Sequence, residues 1–245
     1  IRRYVHLATG NYNAITAQVY TDLGLFTCDE DLGADASDIF NYLTGYSARR
    51  EYCKCLVAPI NLRTGLEALV KREIEHQRKS EEGHLIFKMN SLGDEKMIVL
   101  LYRASQAGVK VELIVRGMCC LRPCVKGVSD NSTVTSVVGR FLEHSRIYYF
   151  RNGGKEEIYL GSADLMQRNL DRRVEVLFPL EDPRLIRHLR DQVLTIYLAD
   201  NFKARRMLPN GMYQRLKPAR KMPLVNSQVW FIELRAVQAR ERERL

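Results

Sequence analysis

The chain has 245 residues, 46% of them apolar and 27% charged, a composition that excludes disordered and collagenous classes and suffices for one large or two small cores. No apolar run approaches the roughly 18 residues of a membrane span, and the basic, polar opening residues lead into no apolar block, so neither a span nor a secretory signal is expected. The formal net charge of +9 is uneven: residues 201–245 hold eleven Lys or Arg against three Glu, or +8, which leaves +1 for the rest and marks a basic tail attractive to polyanions of several kinds.

In chain order, the opening residues read as strand, turn, short helix and strand. Tyr4 to Leu7 alternates weakly, whereas Leu23 to Thr27 is nearly all apolar and fits a strand covered on both faces. A helix is expected from about Asp35, with Ile39, Phe40 and Leu43 on one face and Gly45 ending it. The domain boundary falls near Ser47 to Glu51, dividing the chain into 1–50 and 51–245. The first piece should lean on the second or be poorly ordered. The six cysteines, at 28, 53, 55, 119, 120 and 124, match no zinc spacing, and buried free thiols in a reducing cytoplasm are the expectation.

From Tyr52 strand and helix alternate. Cys55 to Ala58 is a short strand, Asn61 caps a helix to about Lys79, His84 to Met89 is a strand, and Asp94 to Gly108 is a helix closed by glycine. The β-branched run Val109 to Val115 suits a central strand. Further strands follow at Val134 to Val138, Ile147 to Phe150, Ile158 to Leu160 and Val174 to Phe178. Pro183 then opens a helix carrying Leu185, Ile186, Leu189, Val193, Leu194 and Tyr197, and another runs near Val229 to Val237. This order predicts an α/β sandwich with a mixed, mostly parallel sheet flanked by helices.

The chemistry concentrates between Glu143 and Leu180. His144 and Arg146 stand at the threshold of the strand Ile147 to Phe150; a turn at Asn152-Gly153-Gly154 and a second strand then deliver Gly161-Ser162-Ala163-Asp164. Adjacent strands would bring an imidazole, a guanidinium, a hydroxyl and small-residue backbone together, equipment for holding a phosphoryl group and attacking or protonating it. An internal repeat strengthens this reading. Ala8-Thr9-Gly10-Asn11 aligns with Gly161-Ser162-Ala163-Asp164, and eleven residues past Asn11 and Asp164 lie the carboxylates Asp22 and Glu175, each on an apolar strand. Arg116 emerges at the carboxyl end of the strand Val109 to Val115, where α/β sheets bind ligands and where a guanidinium fork suits phosphate.

The doubled pattern resembles the phospholipase D superfamily, whose halves each carry His-x-Lys, Gly-Ser-x-Asn and a following acid. Within it, TGNYN at Thr9 to Asn13, YTD at Tyr20 to Asp22, FNYLTGYS at Phe40 to Ser47, LIVRGMC at Leu113 to Cys119, GRFLEHSRIYYF at Gly139 to Phe150, and GSAD with NLDRRVE to Glu175 are similar to the C-terminal half of the first family of polyphosphate kinases. The resemblance runs from Tyr4 to about Asp200. It implies reversible transfer of the terminal phosphate of ATP to inorganic polyphosphate through a phosphohistidine, with magnesium, in a cytoplasmic homodimer that is free of membrane spans, peripheral membrane contact being left open.

By the same resemblance His144, Glu175 and Asp22 are catalytic, the two carboxylates orienting histidines, and Tyr20, Arg116, His144 and Arg173 contact the adenine nucleotide, ATP or ADP. Arg146, Asn90 and Lys88 are further candidates for phosphate contacts. The family's phospho-accepting histidine lies on the strand before TGNYN, ahead of Ile1, and its magnesium-holding arginines lie upstream too. No metal ligand is therefore assigned here, and the chain is expected to hold half a site and to be inactive alone. Two alternatives draw on the same residues. A phosphodiesterase or nuclease of the same fold should carry lysine at 146 and asparagine at 164, where Arg146 and Asp164 stand; a polyanion-binding module would use the basic tail.

Overall fold

A computed structural model of the chain describes residues 2–46, 51–80, 82–218, 220 and 222–242, with side chains at 80 and 235–242 left aside. The expected boundary at 47–50 lies outside the described residues. The first segment folds as β1 (Val5–Ala8), β2 (Tyr20–Thr21), β3 (Gly24–Thr27) and α1 (Glu30–Leu43). β1 and β3 pair antiparallel, from Val5↔Thr27 to Ala8↔Gly24. The helix α1 starts five residues before the expected Asp35, because Asp29 caps it by accepting from the Leu32 amide at 2.9 Å. Asp35 instead lies fully buried inside the helix and accepts the amides of Cys53, Lys54 and Cys55 at 2.6–2.8 Å. A carboxylate that receives three N–H groups ties the first segment onto the second, so the first does lean on its neighbour.

The second segment continues β4 (Leu56–Ala58), α2 (Leu62–Ser80), β5 (His84–Met89), α3 (Glu95–Gln106), β6 (Lys110–Val115), β7 (Ser132–Val137), β8 (Leu142–Glu143), β9 (Arg146–Phe150), β10 (Glu157–Gly161), α4 (Gln167–Asp171) and β11 (Glu175–Leu180). It ends with α5 (Pro183–His188), a π-helical turn over Leu189–Leu194, α6 (Thr195–Ala199), β12 (Ala204–Met207), β13 (Tyr213–Arg215) and α7 (Ser227–Arg242). Nine strands form one sheet in the order β13-β12-β7-β6-β5-β9-β10-β11-β4. The sheet is mixed. Its parallel pairings join β5 to β6 and β6 to β7, where α3 and the loop after β6 supply crossovers, and the flanking strands pair antiparallel.

Strand alternation sorts side chains into two layers. Leu85, Phe87, Tyr148 and Phe150 face one way and pack with Leu62, Leu66, Val70, Met97 and Leu101 of α2 and α3. Ile86, Ile147, Tyr149 and Phe178 face the other way, toward Ile186 of α5, Leu189 and Leu194 of the π-helical turn, Tyr197 of α6, and Leu32 and Ile39 of α1. Two layers of helix thus cover one sheet, the architecture expected from the alternation. Among the described residues no helix is long and apolar enough to cross a membrane. The cysteines differ from expectation: of the six only Cys55 is buried, and Cys53, Cys120 and Cys124 are exposed because they sit in loops rather than strands.

One small contact positions the site. β2 pairs parallel with β8 through Tyr20↔Leu142 and Thr21↔Glu143, and the amides of His144 and Ser145 both donate to the Thr21 carbonyl, at 3.2 and 3.1 Å. The first segment is thereby held against the residue that precedes β9.

Candidate active site

The two repeats close on themselves in the same way. The Thr9 amide donates to the Leu23 carbonyl at 2.9 Å and the Leu23 amide returns a bond to Thr9 Oγ1 at 3.0 Å. In the second repeat the Ser162 amide donates to the Val176 carbonyl at 3.1 Å and the Val176 amide to Ser162 Oγ at 3.2 Å. A hydroxyl residue is needed in each turn because its oxygen accepts the amide of the residue after the carboxylate. That exchange fixes Asp22 and Glu175 at equivalent places.

The carboxylates then diverge. Asp22 accepts from Thr9 Oγ1 at 2.7 Å and reaches across the repeats to His144 Nδ1, with its two oxygens at 2.9 and 3.0 Å. Tyr20, two residues before it, lays its ring over the same imidazole with centroids 4.5 Å apart. Arg146 brings one terminal nitrogen to 2.9 Å from His144 Nε2 and 3.2 Å from Nδ1. This network assigns the tautomer: Nδ1–H donates to Asp22, and the Nε2 lone pair faces the guanidinium. His144 and Arg146 are each 8% exposed, so the pair sits in a partly desolvated setting where charge interactions strengthen.

Asp164 holds the other end of Arg146, accepting from Nε at 3.1 Å and from a terminal nitrogen at 3.2 Å. It also accepts the Asn90 amide at 2.8 Å. Asn90 in turn donates to the His144 carbonyl at 3.3 Å and accepts from Arg116 Nε at 3.0 Å. Arg116 thus joins the cluster through Asn90. Among the described residues its terminal nitrogens have no partner and remain available to an anion.

Glu175 and Arg173 stand apart. Glu175 accepts from Asn169 Nδ2 at 2.5 Å and lies 3.6 Å from Arg173 Nε; it contacts no histidine among the described residues. Arg173 is exposed, with 62% of its side chain open. Lys88 points away from this face: it is buried and donates to Ser145 on the far side of the strand.

A cleft of about 310 Å³, lined by His6, Tyr12, Tyr20, Asp22 and Gly24, opens beside the Tyr20 and Asp22 side chains. A larger cavity of about 750 Å³ lies on the opposite face of the strand, lined by Leu180, Leu189, Val193, Phe231 and the Glu143 carboxylate, with no Lys or Arg among its described walls. Neither has a Lys or Arg in its described walls, and the smaller cleft is bordered by Tyr20 and Asp22, the two residues that contact His144. No group of three or more His, Cys, Asp or Glu among the described residues could hold a metal ion. Asp22 and Asp164 are already engaged by imidazole, hydroxyl, amide and guanidinium donors. Their donor set does not fit magnesium, so no step is routed through a metal here.

An oriented imidazole, a guanidinium against it and a second arginine with open nitrogens can bind a phosphoryl group and pass a proton to or from it. Sequence reasoning brought Asp22, Tyr20, His144 and Arg116 to one place. Asn90, expected as a phosphate contact, instead bridges Arg116 and the His144 carbonyl.

The family model for polyphosphate kinase C-terminal domain 1 matches residues 1–49 and that for C-terminal domain 2 matches residues 55–228. The chain is 54% identical over 231 residues to a polyphosphate kinase of Synechocystis sp., covering 94% of this chain and 32% of the relative. It is 56% identical over 219 residues to that of Thermosynechococcus vestitus, covering 89% and 30%. The crystal structure of polyphosphate kinase from Porphyromonas gingivalis superposes with a TM-score of 0.91 at 39% identity, over 99% of this chain and 37% of that one. The chain spans about a third of the length of the curated relatives it matches. It belongs to the polyphosphate kinase family.

Proposed function

We propose that this chain supplies half of the active site of an enzyme that transfers the terminal phosphate of ATP to inorganic polyphosphate, reversibly and through a phosphohistidine. The observation that carries the reading is His144, gripped through Nδ1 by Asp22 of the other repeat while Nε2 faces Arg146. Asp22 holds the imidazole in one tautomer, as an orienting carboxylate must. Nε2, left with its lone pair, then serves the phosphoryl group by taking a proton from the entering oxygen or, once protonated, giving one to the leaving oxygen. Arg116 and Arg146 hold the equatorial oxygens, Tyr20 borders the nucleotide, and the exposed Arg173 meets the outer phosphates.

Glu175 occupies in the second repeat the position that Asp22 occupies in the first. We assign it the same task, toward a phospho-accepting histidine contributed by the rest of the protein. The division into a first unit over 1–50 and a second over 51–245 follows the two repeats. Magnesium accompanies ATP as in kinases generally, held by other groups, and the whole protein works in the cytoplasm as a homodimer. The phosphodiesterase alternative is not favoured, since Arg146 and Asp164 form an ion pair with each other where that chemistry wants lysine and asparagine.

The test pairs ATP-dependent polyphosphate synthesis with retention of phosphate label, for this chain and for the full-length protein. Label and polymer with the full-length protein alone, and loss of synthesis in His144→Ala, are expected. Synthesis undiminished in His144→Ala refutes the assignment.

A further inference from the structure

His144 and Ser145 link β8 to β9, and the two neighbours of His144 lie on the opposite face from it. Glu143 and Ser145 turn away from the site, and both are buried, 3% and 4% exposed. They meet Lys88 of β5, itself 1% exposed. Lys88 Nζ donates to Ser145 Oγ at 2.9 Å and to the Ser145 carbonyl at 3.1 Å, lies 3.6 Å from Glu143 Oε2, and sits 4.8 Å from the centre of the Tyr197 ring. Glu143 is itself fully engaged, accepting from Thr21 Oγ1 at 3.1 Å, from Gln228 Nε2 at 2.6 Å and from the Tyr197 hydroxyl. The network therefore draws on β2, β5, α6 and α7 and meets at Glu143 and Lys88, of which Lys88 holds Ser145, the one residue between His144 and Arg146.

We propose that Lys88 is a positioning residue for the reaction at His144 and Arg146, fixing the pitch of their segment by holding the hydroxyl and carbonyl of Ser145 from behind. The proposal rests on the phosphoryl-transfer reading of that site. Its physical basis is the cost of the arrangement. An ammonium enclosed among apolar side chains is expensive, and replacing a buried ion pair by apolar residues of similar volume is often neutral or stabilising. Burial pushes Lys88 down to about 8, against the support of Glu143 and Asp22 and with further opposition from Arg146. Stability alone would be as well served by a methionine. A methionine cannot grip Ser145, and a rotation of that residue swings the two neighbouring side chains away from Asp22 and Asp164.

The test separates positioning from packing with Lys88→Met, Glu143→Gln and the double variant. Thermal midpoints, kcat and KM for ATP are measured on the full-length protein. Histidine-selective ¹⁵N shifts of the His144 ring are measured on this chain. Lys88→Met is expected to lower kcat at least tenfold with KM within about twofold, to lower the midpoint, and to shift the ring signals. Adding Glu143→Gln removes the buried charge left unpaired; the midpoint should recover while kcat and the ring signals do not. Recovery of kcat together with the midpoint, or unchanged ring signals in both variants that lack Lys88, overturns the proposal. Absence of polyphosphate synthesis in the wild-type full-length protein overturns the functional reading instead, and the ring signals still decide whether Lys88 positions His144.

Discussion

Replacing Gly10 by alanine would strike the carboxylate that orients His144 while leaving the rest of the fold almost untouched. A Cβ at position 10 would stand 2.6 Å from Asp22 Oδ2, 2.7 Å from Cγ and 3.0 Å from Cβ. Carbon contacts relax at about 3.5–4.0 Å, so the carboxylate must retreat by about 0.8 Å or rotate. Bonds to Nδ1 now at 2.9 and 3.0 Å would then exceed the hydrogen-bonding range. A bond between a charged group and its partner contributes about 1.5–3 kcal/mol. With tenfold in rate for each ~1.4 kcal/mol, kcat should fall about 10- to 150-fold. The obstruction is a side chain that can swing aside, so the fold should lose only about 1 kcal/mol. The assay is ATP-dependent polyphosphate synthesis by the full-length protein beside a thermal melt. Turnover within about twofold of wild type would refute the claim that Asp22 orients His144.

Two further substitutions test the frame around the site. In Gly161→Ala the new Cβ would lie 1.9 Å from the Val176 carbonyl oxygen and 2.9 Å from Leu177 Cα, backbone atoms that can yield only by parting β10 from β11; a loss of about 3 kcal/mol or more is expected, and an unchanged melting temperature would refute it. Arg63 clamps Asp94 through bonds of 2.9 and 2.7 Å and Asp171 through bonds of 2.6 and 2.7 Å, and Arg63→Met should cost about 3 kcal/mol at pH 7. Burial pushes the Asp94 carboxyl up, but the bonds from Arg63 and the Met97 amide outweigh it and hold the group below its usual value. A depressed carboxyl stabilises the fold above its unfolded pKa and loses that contribution as pH falls through the folded one. Urea melts should therefore show the gap between variant and wild type narrowing below about pH 4, and a constant gap would contradict the clamp.

The strands and helices of the second segment were legible because their apolar runs are long and bounded by capping residues and glycine. Asp94 caps α3 and Pro183 opens α5 where the sequence put them. The start of α1 was not legible, since Asp29 and Asp35 are both plausible caps and only the fold reveals that Asp35 has amides of a distant loop to bind. Within the site, the repeat spacing made Asp22, Glu175 and His144 visible, because a turn hydroxyl and a strand carboxylate recur at one separation. The partnership of Asp22 with His144 was not visible, being a contact across 122 residues. Lys88 read as a phosphate contact because a lone cation in an apolar strand shows its charge but not its face. Neighbouring Ile86, which packs with Tyr197's layer, held the clue to that face.

The same long-range partnership separates catalysis from stability. Asp22 and His144 belong to different repeats, and the backbone link between them is the two-residue pairing of β2 with β8 together with the amides that reach the Thr21 carbonyl. Each such bond contributes about 0.5–1.5 kcal/mol net, a small share beside a nine-stranded sheet buried on both faces. Losing the pairing would carry Asp22 and Tyr20 away from His144 while Arg146, Asp164, Asn90 and Arg116 keep one another in place. The arginine cluster proposed to hold the anion is thus built into the main sheet, and the carboxylate that grips the imidazole is docked onto it. A perturbation at Thr21 should accordingly abolish turnover well before it unfolds the protein, whereas a perturbation at Asp164 strikes both together.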